Sequence, residues 1–234
     1  MRSFATRSTE AELMDGEAVS AADFAACLAS LAAVNDLTRA RPPTRAWLAL
    51  ATAGLPRGGE FSLIDVGFGE GDMLRAVAKW AGRRGLRPRL IGYDLNPRSA
   101  PAAEAKTDPA LGIEYRTGDA FGMTEPVDMV ISSLTAHHMT DAEIVRFVQW
   151  MEGVSVRGWF INDLHRHPLA FYGFAAITRL TPCHPFVRHD GPVSIARSFR
   201  REDWGALLLD AGVDPARVSL RWRFPFRLCV GRLK

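Results

Sequence analysis

A short apolar run, Phe61–Val66, passes directly into Gly67-Phe68-Gly69-Glu70-Gly71 and then into Asp72–Trp80, which reads as a helix. This strand, glycine turn and helix constrain the fold more than any other segment. A run this rich in apolar residues suits a parallel strand covered on both faces. Three glycines in five residues let the backbone take left-handed dihedrals and bring its N–H groups close to a ligand.

The same alternation continues downstream. Leu90–Tyr93 reads as a second strand ending at Asp94, Ile113–Arg116 as a third, Val127–Ser132 as a fourth and Gly158–Ile161 as a fifth. Between the last two, Thr140–Met151 reads as a helix. Thr140 and Glu143 have capping-box spacing there, and Ile144, Val145, Phe147, Val148 and Met151 line one face. Strand and helix in alternation predict an α/β fold, a doubly wound and mostly parallel sheet.

The ends have a different character. Residues 1–19 are polar and are expected to be loose. From Ser20, Phe24, Cys27, Leu28, Leu31 and Val34 fall on one helix face. Pro42-Pro43 closes that segment, and Pro43 opens a second helix through Trp47, Leu48 and Leu50; Leu55–Gly59 is a turn. Leu169–Leu180 is apolar nearly all round and predicts a buried or lid helix, followed by a mobile loop over Pro182–Pro192. Arg201–Ala211 predicts a helix with Glu202 and Asp203 in its first turn. Val218–Phe224 and Phe226–Val230, joined at Pro225, predict an antiparallel hairpin closing the sheet edge.

The glycine turn departs from the dinucleotide fingerprint. G-x-G-x-x-G would place a glycine where Asp72 stands, and no Tyr-x-x-x-Lys pair is present, which argues against a nicotinamide-dependent oxidoreductase. Gly67-x-Gly69-x-Gly71, with an acid ending strand two (Asp94) and another ending strand three (Asp119), resembles the class I S-adenosylmethionine-dependent methyltransferases. The resemblance is close over residues 61–165 and looser at both ends. It implies a seven-stranded Rossmann-like sheet with an N-terminal helical cap (1–56) and a methyltransferase domain (57–234) carrying a lid insertion at about 169–200. It also implies S-adenosylmethionine as cofactor. Asp65, Gly67, Gly69 and Gly71 would then lie along the cofactor, with Asp65 or Gly67 at its amino-acid end. Asp94, followed by Leu95, would accept the ribose hydroxyls. Asp119 would accept from the adenine amino group, with Ala120 or Phe121 flanking the ring. Arg39 and Arg41 are candidates for the cofactor carboxylate.

All six histidines fall between His137 and His189. In open α/β sheets ligands sit outside the carboxyl ends of the strands, so His137-His138 after strand four, and His165 and His167 after strand five, lie at the functional edge. Histidine titrates near neutrality and suits proton removal from a hydroxyl about to be methylated. His137 and His138 are therefore the catalytic candidates, with His138 the first choice; each is also readable as a loop residue bound to backbone. The ubiquinone/menaquinone-type and polyketide-type small-molecule methyltransferases, which the chain resembles, carry histidines in this loop. Asp163 can orient a histidine or pair with Arg166. His165, His167, Phe171 and Tyr172 are the substrate-side candidates, the aromatics suiting a flat phenolic or quinone ring. The expected reaction is methylation of a phenolic, quinone-like or polyketide-type hydroxyl. C-methylation and a non-catalytic cofactor-binding module are the alternatives.

Composition narrows the partners. The net charge of +3 comes from scattered arginines, with lysine only at 79, 106 and 234, so nucleic acid is not expected. Ser132-Ser133-Leu134-Thr135 stands where nucleic-acid methyltransferases carry an Asn/Asp-Pro-Pro-Tyr/Phe motif. Cys27, Cys183 and Cys229 have no zinc-ligand spacing, and Asp163, His165 and His167 match no metal signature, so no metal is expected. The odd cysteine count, no apolar leader in Met1–Met14 and no run of about 20 apolar residues lead to an expected cytoplasmic location.

Overall fold

A computed structural model describes residues 3–16, 19–180 and 183–234. Its centre is a seven-stranded sheet made of β1 (Glu60–Val66), β2 (Arg87–Asp94), β3 (Ile113–Thr117), β4 (Val127–Ser133), β5 (Ser155–Leu164), β6 (Ser219–Arg223) and β7 (Arg227–Leu233). The order is β3-β2-β1-β4-β5-β7-β6. Strands β1 to β5 run parallel, and β7 is antiparallel to both β5 and β6. The expected hairpin is thus present, entered through a cis Phe224-Pro225 bond.

Side chains alternate between two cores, as the period of two in a strand requires. Ile64, Val130 and Ile161 join a cluster with Ile144, Phe147, Val148 and Met151 of α5 (Asp141–Val154) and Trp204, Leu207 and Leu208 of α8 (Arg201–Asp210). Leu63, Met129, Ile131 and Phe160 join the opposite cluster with Trp47 and Leu48 of α2 (Arg41–Ala51) and Met73, Leu74 and Val77 of α3 (Asp72–Arg83). Each such side chain contributes about 1.5–3 kcal/mol on burial, so the strands are apolar on both faces for a reason the sequence displays. The capping box at Thr140 and Glu143 forms as expected.

The order reverses between β1 and β4, which opens a crevice at the carboxyl ends of the two strands. The N-terminal helices are fastened over this edge. Asn162 on β5 donates to the Ala40 carbonyl and to Thr44, and the buried Arg227 on β7 donates to Thr38. These bonds fix the junction between α1 (Ala21–Leu37) and α2 above the sheet.

Two expectations are corrected at the ends, and one left open is decided. Residues 3–16 are not loose. Phe4 is buried against Phe171, Arg166 donates to the Phe4 and Ala5 carbonyls, and Ser8 N–H donates to Ala196. The reason is charge: a buried guanidinium needs acceptors, and this strap supplies backbone carbonyls. Residues 1–2 and 17–18 of that stretch lie outside the described residues. The expected loop at Pro182–Pro192 is, from Pro185, the helix α7 (Pro185–Arg197), which accommodates Pro192; Pro182 lies outside the described residues. The apolar helix α6 (Pro168–Leu180) is not buried all round. Ala170 and Thr178 are buried, while Leu169, Tyr172, Ile177 and Leu180 are exposed. No helix among the described residues is long and apolar enough to cross a membrane.

Candidate active site

The glycine turn takes the dihedrals expected of it. Gly67, Gly69 and Gly71 have φ of 76°, 55° and 75°, in the left-handed region. A Cβ on Gly67 would collide with Thr135, and one on Gly71 with the Tyr115 ring. The turn is therefore wedged between β4's following loop and β3, and only glycine fits.

Asp94 locks the turn from the next strand. Its carboxylate accepts from the Gly69 N–H and the Asn96 N–H, each at 2.9 Å. Burial raises its carboxyl above the ordinary value, and the two backbone N–H groups work against that rise. Asp65, at the penultimate position of β1, is buried, and neither of its oxygens has a hydrogen-bond partner. Burial, with the Asp72 and Asp94 charges adding to it, holds its carboxyl well above the ordinary range. It borders a cavity of about 20 Å³ lined also by Asn35, Ala40, Gly67, Asp72 and Ser133. Arg41 reaches this region and pairs with Asp36 at 2.7 Å and Asp72 at 3.2 Å. Arg39, a neighbour of Arg41 on the α1–α2 junction, lines a wider cleft with Arg45, Arg75 and Lys79. Leu95 is exposed beside Asp94.

The expected adenine-side residues follow β3. Asp119 caps the 120–122 turn by accepting from Phe121 N–H, and it is exposed. Ala120 is buried. Phe121 is half-buried and stacks on Phe147 and Trp150, with centroids 5.9 and 5.6 Å away. The aromatic surface of α5 thus holds that ring in place.

The histidines separate into two pairs. His137 and His138 sit in a one-turn 3₁₀ helix (Ala136–His138) beyond β4, their rings 4.4 Å apart. This turn lies at the β1–β4 crevice, since Thr135 just before it donates to the Gly67 carbonyl at 3.2 Å. His137 is buried. Asp163, at the end of β5, accepts from its backbone N–H at 2.9 Å and lies 2.7 Å from its Nδ1. Burial alone would raise the Asp163 carboxyl, but the charge and hydrogen bonds of His137 outweigh it and hold the group below its ordinary value. An ionised Asp163 therefore accepts the Nδ1 proton and leaves Nε2 as the reactive nitrogen. Arg166, the other partner considered for Asp163, instead pairs with Asp203 at 2.8 Å.

The carbonyls of this turn are clamped as well. Arg7 donates to His137 and Met139, and Arg197 to His137 and His138. Glu12 of the strap faces the imidazoles. It is buried, accepts from the Ser194 hydroxyl at 2.8 Å, and stands 3.7 Å from His137 Nε2 and 3.8 Å from His138 Nε2. Nothing in the sequence near residue 12 pairs it with residue 137. The only local signal is an acid preceding an apolar Leu-Met step.

His165 and His167 lie elsewhere. Their rings are 5.6 Å apart, and His167 stacks on Phe226 and caps α6 by accepting from Leu169 N–H. Burial and the neighbouring His167 lower the pKa of His165. Phe171 packs on Phe4, and Tyr172 is exposed beside both rings. These four residues belong to the hairpin and lid side.

Comparisons with known proteins agree with this fold. Residues 63–158 match the family described as a methyltransferase domain. No curated protein matches the sequence. Among solved structures, magnesium protoporphyrin IX methyltransferase from Synechocystis PCC 6803, with bound SAH, is similar at 18% identity and a TM-score of 0.56, covering 84% of this chain and 82% of that one. The plantazolicin methyltransferase BamL, also with SAH, is similar at 13% identity and a TM-score of 0.60, covering 86% and 76%. The CurJ carbon methyltransferase is similar at 12% identity and a TM-score of 0.56; the match covers 80% of this chain and about half (51%) of that one. The chain thus has the fold of class I S-adenosylmethionine-dependent methyltransferases, and its residues 63–158 are similar to a methyltransferase domain.

Proposed function

We propose that this methyltransferase-fold chain takes S-adenosylmethionine as its methyl donor and methylates a small molecule at a phenolic, quinone-like or polyketide-type hydroxyl. One observation carries the reading: the glycine turn, Asp65, Asp94 and the Asp163-held His137 converge on the β1–β4 crevice.

The residues fit the donor. Asp65 is a buried carboxylate without a partner, and a ligand ammonium would supply one. The α-amino group of the methionine moiety is such an ammonium. Asp94 stands at the end of β2 where ribose hydroxyls can donate to it, and Asp119 stands at β3 for the adenine amino group. The donor supplies an electrophilic methyl on a sulfonium sulfur. The protein's part is to align the acceptor oxygen with it and to receive the hydroxyl proton at the His137–His138 turn. Methyl transfer forms the O–C bond as the S–C bond breaks, leaving S-adenosylhomocysteine. Phe171 and Tyr172 on the lid side are the acceptor-side aromatics of this reading.

The test is turnover of a panel of phenols and hydroquinones with S-adenosylmethionine, with products read by mass spectrometry. Formation of an O-methyl ether with S-adenosylhomocysteine supports the reading. Exclusive ring methylation moves it to C-transfer. Tight NADH binding with no S-adenosylhomocysteine binding overturns the donor.

A further inference from the structure

We propose that Glu12, His137 and His138 form a binding site for one divalent transition-metal ion of the zinc type. The three side chains bring two imidazole nitrogens and a carboxylate to one point. Their ligating atoms all lie within 4.8 Å of one another. The separations of 3.7 and 3.8 Å between Glu12 and the two Nε2 atoms are too long for hydrogen bonds. They are close to the spacing of atoms that share an ion. Bonds of about 2.0–2.1 Å in tetrahedral array put neighbouring ligands about 3.3–3.4 Å apart. Glu12 meets the two nitrogens through different oxygens, Oε1 for His137 and Oε2 for His138, so drawing one atom from each residue from within 4.8 Å to that spacing takes up to about 1.5 Å, shared among the three side chains.

The surroundings are those of a built site. His137 is held by Asp163 through Nδ1, which fixes the tautomer and aims Nε2 at Glu12. A carboxylate behind a ligating histidine is the arrangement that orients such ligands and raises their basicity. Charge balances too. Two neutral imidazoles add none, and Glu12 and Asp163 together offset a dication. Without a cation, Glu12 is a carboxylate buried opposite two imidazoles and accepting from the Ser194 hydroxyl. The clamps from Arg7 and Arg197 fall on the backbone carbonyls of the turn, not on the rings.

The donor set selects the ion. Two imidazoles and one carboxylate suit Zn²⁺, Co²⁺, Ni²⁺ or Fe²⁺, whereas Mg²⁺ and Ca²⁺ take all-oxygen sites. Three protein ligands leave a coordination position free. The class of group that fits there is an oxygen donor, water or the acceptor hydroxyl. That last step rests on the proposed methyl transfer; the binding of the ion does not. Where the ion is present, His137 Nε2 serves as ligand, and the acceptor oxygen is held by the ion rather than by the imidazole.

The experiment uses the untagged full-length protein, stripped by chelator and dialysed. ZnCl₂ and CoCl₂ are titrated separately by calorimetry, and Co²⁺ also by visible absorption. One equivalent should bind, with Mg²⁺ unable to compete. Glu12→Gln and His138→Ala should each weaken it at least tenfold, by loss of a ligand. Asp163→Asn should weaken it about 10–100-fold although Asp163 touches no ion. Circular dichroism establishes that each variant folds, and if one does not, the other decides. No saturable binding of either ion to the wild type, or equal binding by wild type, Glu12→Gln and His138→Ala, overturns the site. S-adenosylhomocysteine is titrated into the same metal-free sample. Its binding without any metal binding overturns the ion alone and returns the proton-accepting role to His137. Its failure to bind strikes the methyl-donor reading instead.

Discussion

Asp163 grips His137 at two points, the backbone N–H at 2.9 Å and the ring Nδ1 at 2.7 Å, across the gap between the ends of β5 and β4. The imidazole is thus fixed in orientation and tautomer before any substrate arrives. Asp163→Asn keeps the shape but offers one acceptor and one donor in place of two acceptors. Turnover should fall by about 10²–10⁴-fold, while affinity for S-adenosylhomocysteine changes little. Steady-state kinetics beside calorimetry checks this, and unchanged turnover refutes the orienting role.

The two adjacent histidines should differ in consequence. His137 is buried and held, whereas His138 retains partial exposure. His137→Ala should lower turnover by on the order of 10²–10⁴-fold, and His138→Ala by distinctly less. Comparable rates in both variants and the wild type would leave catalysis to alignment alone.

Asp94 ties the glycine turn and is assigned the ribose hydroxyls. A charged hydrogen bond contributes about 1.5–3 kcal/mol. Asp94→Ala should therefore weaken micromolar S-adenosylhomocysteine binding by roughly 10–100-fold. Equal Kd values for wild type and variant in calorimetry would remove the ribose assignment.

Asp65 carries a cost in the ligand-free protein. Its folded-state pKa lies above the ordinary 3.8 because of burial and the Asp72 and Asp94 charges. The contribution to stability is fully present below that ordinary value and is lost as pH rises through the raised folded pKa. Asp65→Asn removes the charge, so the ligand-free variant should melt higher near neutrality than the wild type, and the gap should shrink in acid. Each kcal/mol recovered is worth about 2–4 °C for a chain of this size. The same variant should bind S-adenosylhomocysteine more weakly, having lost the partner of its ammonium. A melting point that is lower at neutral pH and higher in acid would reverse the assigned sign.

The cavity beside Asp65 holds about 20 Å³, room for about one water. Leu28 of α1 lies over Gly69, at 3.7 Å from the place of a Cβ. Admission of a nucleoside-sized ligand into this cavity would require the cover to move. Residues 20–56 and 169–200 are proposed as that cover, with α7 packed on α1 and on the 136–138 turn. Amide hydrogen exchange in both segments should slow when S-adenosylhomocysteine is added. Protection confined to Gly67–Gly71 would mean that the cover is static.

Local chemistry made most of the frame legible. Apolar runs over Phe61–Val66 and Val127–Ser132 announce buried parallel strands, because both faces must be covered. Gly67, Gly69 and Gly71 announce a left-handed turn, and Thr140 with Glu143 announces a helix start. Each of these signals acts within a few residues, so a single chain displays it. Element ends were less legible. Leu169–Leu180 could be read as a buried or a lid helix, because an apolar helix has the same composition whether or not a partner covers its outer face. Pro182–Pro192 looked like a loop because proline weighs against a helix interior, and the packing of α7 against the strap and the turn outweighs that.

The site divides in the same way. Asp65, the three glycines and Asp94 follow one another on adjacent elements, so sequence order placed them. The choice between His137 and His138, the partner of Asp163, and the arrival of Glu12 depend on which loops meet at one edge of the sheet. Those meetings are set by the strand order, by Arg166 drawing the strap in through its carbonyls, and by Arg7 and Arg197 holding the 137–139 carbonyls. Buried charges must find partners wherever the chain offers them, often more than a hundred residues away. Sequence therefore determined the sheet, the glycine turn and the acids at the strand ends, while tertiary structure alone decided which histidine is held and what faces it.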